Sequence, residues 1–208
     1  MADLTLYTNP MSRGRIARWM IEETGQPYDT VILPFGAAMK SAQYRAVNPM
    51  GKVPAVRHGD VVVTECAAIC AYLADTFPEA RLAPPGPQRG SYYRWLFFAA
   101  GPLEAAVSNR SLGFEVSEER RRMIGYGRFE DVMDTLEIAV STNPFIAGQA
   151  FTAADVYVGS HIGWGLQFGS IERRPAFETY FARVSDRPAY RRAQEKDDAA
   201  MGEAGTAG

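Results

Sequence analysis

The 208-residue chain contains few of the residues that bind metal ions or form disulfides, with only two histidines and two cysteines. Cys66 and Cys70 are four residues apart in one predicted helix, which is an awkward spacing for a structural disulfide. These two cysteines are too few ligands for a zinc site, and with only His58 and His161 neither an imidazole-rich metal site nor a Ser/His/Asp triad has much support. The sequence therefore predicts no bound metal and fits a reducing compartment.

The chain also lacks an excess of charge of one sign and any long hydrophobic run. Its 22 basic and 24 acidic residues give a formal net charge of -2, so no overall positive field would gather phosphates. No apolar run approaches the ~20 residues that cross a bilayer. The residues after Met1 show no basic region followed by an apolar stretch, as a secretory signal would. We expect a soluble cytoplasmic protein that binds neither nucleic acid nor membranes.

Hydrophobic residues make up 47% of the chain and charged residues 22%, close to the globular average, so the chain should fold as one large domain or two small ones. Leu4–Thr8 alternates apolar and polar residues like a strand, whereas Ile16, Trp19 and Met20 recur at helical spacing. The same criteria predict strands at 4–8, 28–33, 53–56 and 61–63, helices at 12–23 and 65–77, and an irregular polar segment at 35–47. The order is βαβ followed by ββα.

A proline-rich segment at 82–87 predicts a boundary, because it can form neither a helix nor a central strand. Beyond it the pattern is helical, with helices predicted at 89–107, 118–140, 153–168, 175–184 and 188–194. Thr152 and Asp155 form a capping-box pattern that starts the third of these helices. The tail from Asp197 has no apolar face to bury and is expected to fray. We predict a first domain at 1–80, a linker at 81–88 and an all-helical domain at 89–208.

Three local sequences resemble the glutathione transferase superfamily: Leu6–Arg15, Asn48–Pro54 and Val63–Ile69. Phe151–Val156, in the helical half, is similar to the capping motif of that family. The Asn9–Arg13 opening looks most like a bacterial and fungal branch that carries serine at this turn. The resemblance implies an α/β thioredoxin-like N-terminal domain (βαβ-ββα) with an all-α C-terminal helical domain, which together form the glutathione transferase fold. It also implies a homodimer that uses glutathione as co-substrate and needs no metal or redox cofactor.

The first motif predicts where the glutathione thiol would be activated. Only the thiolate is a competent nucleophile, so the site must supply donors that favour the anion. The candidates are Ser12, then Asn9, then Tyr7, with the positive end of the following helix as a further contribution. Tyr7 ranks third because two extra residues separate it from Arg13 compared with the usual tyrosine-type spacing. Asn9 and Ser12 would also serve as ordinary helix caps.

The other motifs predict residues that bind glutathione. The resemblance implies that Val53 pairs its backbone with the cysteinyl part, next to a cis peptide bond at Pro54. Lys52 would pair with the glycine carboxylate, although such a lysine is often only solvated. Glu65 would accept the γ-glutamyl ammonium, or would merely begin a helix. Cys66 stands where the family usually has serine, and its backbone N–H would still bind the γ-glutamyl carboxylate. Arg13 completes this predicted set.

The predicted acceptor site is apolar and is the least constrained by sequence. An electrophilic substrate would contact aromatic side chains of the helical half, yet an aromatic stripe on a helix is usually packed in a core. The candidates are Met11, Tyr93, Phe97, Trp164 and Phe168. The resulting hypothesis is a cytosolic detoxification enzyme that conjugates glutathione to apolar electrophiles. The alternatives are a glutathione-dependent disulfide reductase or peroxidase, and a non-catalytic glutathione-binding dimerisation module.

Overall fold

The structure, a computed structural model, describes residues 2–206 and divides them into two compact units. The first unit combines the residues up to Leu82 with those from Asp186 onward, and the second comprises Ala83–Ser185. None of the helices within residues 2–206 is long and apolar enough to cross a membrane. Each unit is built around elements of a different kind.

The first unit contains a mixed four-stranded sheet of order β2-β1-β3-β4. The strands are β1 (Leu4–Thr8), β2 (Tyr28–Ile32), β3 (Ala55–His58) and β4 (Val61–Thr64). β1 is parallel to β2 and antiparallel to β3, which pairs with β4 in a hairpin. The register places Thr8 beside Ile32, and Ala55 beside both Tyr7 and Thr64. The ends of β1, β2 and β4 and the start of β3 therefore lie at one edge of the sheet.

The helices of the first unit follow the predicted βαβ-ββα order, which confirms the thioredoxin-like architecture. They are α1 (Gly14–Thr24), α2 (Ala37–Lys40), α3 (Ala42–Arg45), α4 (Cys66–Thr76) and α10 (Pro188–Thr206), with a 3-10 turn at Pro78–Ala80. Ile16, Trp19 and Met20 are buried, as their helical spacing predicts. α1 ends at Gly25, whose φ of 70° lies in the left-handed region that glycine adopts without strain.

The predicted fraying of the tail from Asp197 is wrong, because α10 continues to Thr206. Asp197 is fully buried and accepts a hydrogen bond from Arg18 Nε at 2.9 Å. α10 thus packs on α1 partly through charged side chains. A search for periodic apolar residues does not detect such packing. The domain boundaries 1–80, 81–88 and 89–208 stay a prediction, but the contacts group α10 with the first unit and not with the other helices.

The second unit is helical, in agreement with the predicted all-α domain. It contains α5 (Arg89–Phe98), a π-helical segment (Ala99–Leu103), α6 (Glu104–Ser111), α7 (Phe129–Thr142), α8 (Ala153–Phe168) and α9 (Pro175–Ser185), with 3-10 turns at Gly86–Gln88 and Glu118–Met123. The predicted helix at 118–140 is divided between the 3-10 turn and α7. Gly127, at a φ of 68°, lies in the break between them.

α8 is buried along most of its length, and its start carries the predicted cap. Thr152 and Asp155 form a reciprocal capping box. The Asp155 carboxylate accepts hydrogen bonds from the backbone N–H groups of Ile146 and Thr152 and from the hydroxyls of Thr152 and Tyr180, at 2.7 to 3.0 Å. Four donors around a fully buried carboxylate indicate a structural role for Asp155.

Candidate functional site

Four connections meet at the sheet edge where β1, β2 and β4 end and β3 begins. They are the turn from Asn9 to Arg13, the loop from Leu33, the loop from Asn48 to Pro54, and Glu65 at the end of β4. Asn9 Nδ2 donates to the carbonyl of Leu33 at 2.9 Å and so joins the first two connections. The strand register thereby brings together three motifs that are far apart in sequence.

The turn before α1 is held by the two side chains ranked highest for thiol activation. Asn9 Oδ1 accepts from the Met11 N–H at 2.9 Å. Ser12 Oγ donates to the carbonyl of Asn9 at 2.7 Å and accepts from the Gly14 N–H at 2.9 Å. Asn9 is buried and Ser12 is half-buried. Both side chains therefore order the turn at the positive end of α1. Among the described residues, only Ser12 of the two bonds a residue of the helix, and the N-cap residue Arg13 makes no side-chain cap hydrogen bond.

Tyr7 lies on the opposite face of β1 from Thr8, because side chains alternate along a strand. Its ring is half-buried, 5.8 Å from the ring of Tyr44. The Tyr44 hydroxyl donates to the carbonyl of Lys52 at 2.7 Å. Burial, with a smaller contribution from Tyr7, raises the pKa of Tyr44 to about 12. Tyr44 thus stays protonated and helps to hold the loop that precedes β3.

The loop before β3 is fixed by side chains on either side of it. Asn48 Nδ2 donates to the Lys52 carbonyl at 2.8 Å, and Lys40 Nζ donates to the carbonyls of Met50 and Gly51 at 2.8 and 2.9 Å. Gly51 has a φ of 57°, and a Cβ there would lie 2.4 Å from the carbonyl oxygen of Met39. Only glycine fits this position.

The expected cis peptide bond is present between Val53 and Pro54. Val53 lies just outside β3, and within residues 2–206 its backbone makes no hydrogen bond. This leaves both backbone groups available to an extended ligand. The side chain of Lys52 is exposed beside it.

Glu65 lies in a backbone conformation that is rare for a residue with a side chain. It has φ 67° and ψ 120°, is exposed, and immediately precedes α4. Strained positions of this kind cost about 1–3 kcal/mol and are concentrated at functional sites. Glu65 therefore presents an exposed carboxylate at the same sheet edge as Val53 and Ser12.

The two cysteines have different surroundings. Cys66 begins α4, is 7% exposed, and its thiol lies 3.7 Å from the carbonyl of Arg13, whose own side chain is exposed. This contact links α4 to the turn before α1. Cys70 is fully buried, and burial together with the neighbouring Cys66 raises the pKa of its thiol well above the usual value. Cys70 is therefore an inert core residue.

The predicted acceptor residues are distributed over the two units. Met11, in the first unit, is 75% exposed. Tyr93 and Phe97 are four residues apart on α5, and Trp164 and Phe168 are four apart on α8. Phe97 and Phe168 are 70% and 74% exposed, Tyr93 is exposed and Trp164 is half-buried. These side chains are therefore not all core residues.

Three residues of this region were not singled out by sequence reasoning. Thr8 is fully buried, and its hydroxyl has no hydrogen-bond partner in the part of the chain that the structure describes. Lys40 holds the loop before β3, and Arg15 bonds the Pro10 carbonyl at 2.6 Å. Lysine and arginine on a helix carry no sequence signal for such contacts. In residues 2–206 no group of three His, Cys, Asp or Glu side chains could hold a metal ion.

This arrangement can bind a small extended zwitterion. The carboxylate of Glu65 suits an ammonium group, Lys52 and the N-terminus of α1 suit negative charge, and the backbone of Val53 suits a peptide segment between them. The fold and this site together define a thioredoxin-like protein in which one sheet edge leaves backbone groups of Val53 open to an extended ligand.

Comparisons with known proteins agree with that description. Residues 2–75 match the family model for the glutathione S-transferase N-terminal domain. The chain is 30% identical over 152 residues to glutathione S-transferase GstA of Escherichia coli O157:H7, covering 70% of this chain and 73% of the relative. It is 27% identical over 179 residues to glutathione S-transferase A of Pleuronectes platessa, covering 80% and 79%. The protein belongs to the glutathione S-transferase family.

Solved structures show the same relationship over nearly the whole chain. A glutathione transferase from Methylococcus capsulatus is 25% identical with a TM-score of 0.79, and the match covers 94% of this chain and 99% of that one. The theta class glutathione S-transferase of Xanthomonas axonopodis pv. citri, solved with glutathione bound, is 27% identical with a TM-score of 0.72, covering 93% and 97%.

Proposed function

We propose that this protein is a glutathione transferase that adds the glutathione thiolate to electrophilic, largely apolar small molecules. The observation that carries the proposal is the convergence of Ser12, Val53 and Glu65 at one sheet edge, beside the N-terminus of α1. The thiolate attacks an electrophilic carbon, a C–S bond forms, and the leaving group departs with the bonding pair. No metal or redox cofactor is needed for this step.

Within the site, Ser12 is the first candidate to stabilise the thiolate and Asn9 the second. To donate to a thiolate, the Ser12 hydroxyl would turn from the carbonyl of Asn9, which retains the bond from the Ser12 N–H at 3.0 Å. Asn9 Nδ2 carries two hydrogens, of which Leu33 takes one. Ser12 is the more accessible of the two side chains, which supports the ranking and the assignment to the serine-containing branch.

Glutathione would lie with its γ-glutamyl ammonium at Glu65, its cysteinyl backbone along Val53, and its glycine carboxylate near Lys52. Cys66 would contribute its backbone N–H to the γ-glutamyl carboxylate, and Arg13 lies within the same turn. The candidates for contact with the apolar electrophile are Met11 in the first unit and, in the second unit, the exposed Tyr93, Phe97 and Phe168 and the half-buried Trp164. We further propose that the enzyme is a cytoplasmic homodimer that serves detoxification.

Titration of the bound thiol tests the proposed activation. In Ser12→Ala, loss of one neutral donor should cost ~1 to 3 kcal/mol and raise the pKa of bound glutathione by roughly one to two units. The measurement is the ultraviolet absorbance of the thiolate against pH, with Asn9→Ala and Tyr7→Phe alongside. A parent-like Ser12→Ala with a shifted Asn9→Ala would reverse the ranking. If none of the three shifts, backbone N–H groups and the α1 dipole perform the activation.

A substrate screen separates the proposed transferase from its alternatives. Steady-state rates would be measured with an aryl halide, an isothiocyanate, a peroxide and a mixed disulfide of glutathione. Turnover of the first two supports conjugation, whereas exclusive turnover of the last two would identify a peroxidase or reductase. Retention on immobilised glutathione without any turnover would indicate a binding module.

A further inference from the structure

Arg15 connects the turn before α1 to the C-terminal helix. Its Nε donates to the carbonyl of Pro10 at 2.6 Å, and its Nη1 donates to Gln194 Oε1 at 2.5 Å. Its Nη2 donates to Asp198 Oδ1 at 2.6 Å and lies 3.6 Å from Met201 Sδ. The Arg15 side chain is only 15% exposed. Arg15, Pro10, Gln194 and Asp198 are called the Arg15 clasp below.

Pro10 is the residue through which the clasp reaches the turn. It lies directly after Asn9, whose carbonyl accepts hydrogen bonds from both the hydroxyl and the N–H of Ser12. A shift of Pro10 would therefore also move the adjoining Asn9–Pro10 peptide unit, whose carbonyl positions Ser12. The guanidinium contacts none of the side chains ranked for thiol activation, so its effect on them passes through the backbone.

The geometry of the clasp requires a guanidinium. Its planar fork sends three N–H groups to three acceptors on two separate segments, which the single ammonium of lysine would not match. Other α1 side chains also pair with α10 or with the residue before it, namely Arg18, Glu22 and Glu23. Within residues 2–206, Arg15 is the only member of this group that also bonds the turn.

We propose that Arg15 is a positioning residue for the thiol site and that α10 acts on the Asn9–Ser12 turn through it. The inference rests on the proposed function, since the turn matters only if it binds a thiolate. Asp197, Asp198 and Tyr190 of α10 are the titratable groups that interact electrostatically with Arg15. α10 is thereby part of the activating structure although none of its residues needs to touch glutathione.

Three changes to the clasp test the proposal in the full-length protein. Arg15→Met removes the fork, Arg15→Lys keeps the charge without the fork, and Gln194→Ala combined with Asp198→Ala removes the α10 side while leaving the bond to Pro10. The control is Arg187→Met, which breaks the bidentate pair with Glu23 at the other end of α1, at 2.7 Å for both bonds. For each, one measures the pKa of bound glutathione by ultraviolet titration, glutathione affinity by calorimetry, and the melting temperature.

The clasp predicts that Arg15→Met and Arg15→Lys raise the pKa of bound glutathione by about one unit, a roughly tenfold loss of thiolate at pH values below that pKa. kcat should fall similarly at neutral pH and recover at higher pH. The Gln194→Ala/Asp198→Ala variant should shift in the same direction, and Arg187→Met should lower the melting temperature without moving the thiol pKa.

Other outcomes overturn the proposal in distinguishable ways. If the clasp variants lose stability but keep the parent thiol pKa, the clasp is only structural. If Arg15→Lys behaves like the parent while Arg15→Met shifts, the charge of Arg15 acts directly and its fork is irrelevant. If the Gln194→Ala/Asp198→Ala variant alone keeps the parent pKa of bound glutathione, α10 has no part in activation. A parent protein that binds no glutathione would refute the proposed function itself, and the inference with it.

Discussion

Glu65 combines an unfavourable backbone conformation with an exposed carboxylate. Its effect on ligand binding can therefore be measured separately from its effect on stability. A residue kept only as the start of a helix would not need a φ of 67°. Its backbone conformation costs free energy in the folded state, and glycine would relieve that cost. The site therefore holds Glu65 at the expense of stability, as is common where ligand contacts are prearranged.

Substituting Glu65 in two ways measures both effects. Glu65→Ala should weaken glutathione binding by ~1.5 to 3 kcal/mol, the range for a hydrogen bond to a charged group. Glu65→Gly should lose a similar amount of binding yet be about 1 kcal/mol more stable than Glu65→Ala, because the strain is relieved. Calorimetry and denaturant unfolding report the two quantities. Unchanged affinity in a folded Glu65→Ala would reduce Glu65 to a helix-start residue.

At the scale of elements, the approach of β1 to α1 depends on a glycine. A Cβ on Gly14 would lie 1.8 Å from Thr8 Oγ1 and 3.0 Å from Ser12 Oγ. Such an approach is far below van der Waals contact, so the helix start or the strand end would have to move. Both flank the turn that carries Asn9 and Ser12.

Gly14→Ala should therefore destabilise the protein by about 1–3 kcal/mol, as overpacking does in cores. Adding Thr8→Ala to the same chain should recover part of that loss, because the clashing hydroxyl is removed. Gly90→Ala is the matched control, since Gly90 lies in α5 with nothing within 4 Å of an added Cβ. That control should gain up to about 1 kcal/mol from helix propensity. Additive effects of Thr8→Ala and Gly14→Ala in denaturant unfolding would contradict the clash.

The packing of α10 on α1 should depend on pH through Glu22. Burial would raise the pKa of Glu22, but hydrogen bonds from Lys196, Tyr28 and Arg192 outweigh burial and lower it below 4.5. A lowered pKa in the folded state means that the stabilisation is present above the unfolded pKa and is lost as the pH falls through the folded one. Asp197 contributes to the pH dependence of stability with the opposite sign. Burial raises the pKa of its carboxyl despite the neighbouring Arg18.

Comparison with Glu22→Gln isolates this contribution. Between about pH 5 and about pH 3 the parent should lose more unfolding free energy than the variant does. At neutral pH the variant should be about 1 kcal/mol less stable, since the cationic partners are half-exposed and solvent screens them. Parallel pH profiles for the two proteins, measured by urea unfolding, would show that Glu22 does not control the packing of α10.

At the scale of the whole molecule, the family relationship predicts a two-fold homodimer. Sedimentation at micromolar concentration should give twice the chain mass of 22.9 kDa. A species of the single-chain mass alone would refute the dimer while leaving the glutathione site of the first unit intact. Concentration-dependent melting provides an independent check, because association stabilises the folded state by mass action.

The sequence predicts the sheet, α1 and α4 well because their apolar residues follow strand and helix periods. It predicts the start of α10, at 188–194, but not its continuation to Thr206, because Arg18 and Asp197 form a buried ion pair and residues of that type are usually exposed. The site follows the same division. Short motifs locate Ser12, Val53 and Glu65, whereas the contacts of Arg15 with α10 join residues more than 170 positions apart and depend on tertiary structure.

Because α10 belongs to the first unit, that unit is complete only after the second unit has been synthesised. A ribosome completes β1 through α4 early, then synthesises all of the second unit before it reaches α10. Until then Arg18 and Glu22 on α1 lack their α10 partners Asp197 and Lys196. The turn from Asn9 to Ser12 is therefore synthesised before the helix that contacts it through Arg15, and it would gain those contacts only after the whole second unit has been made.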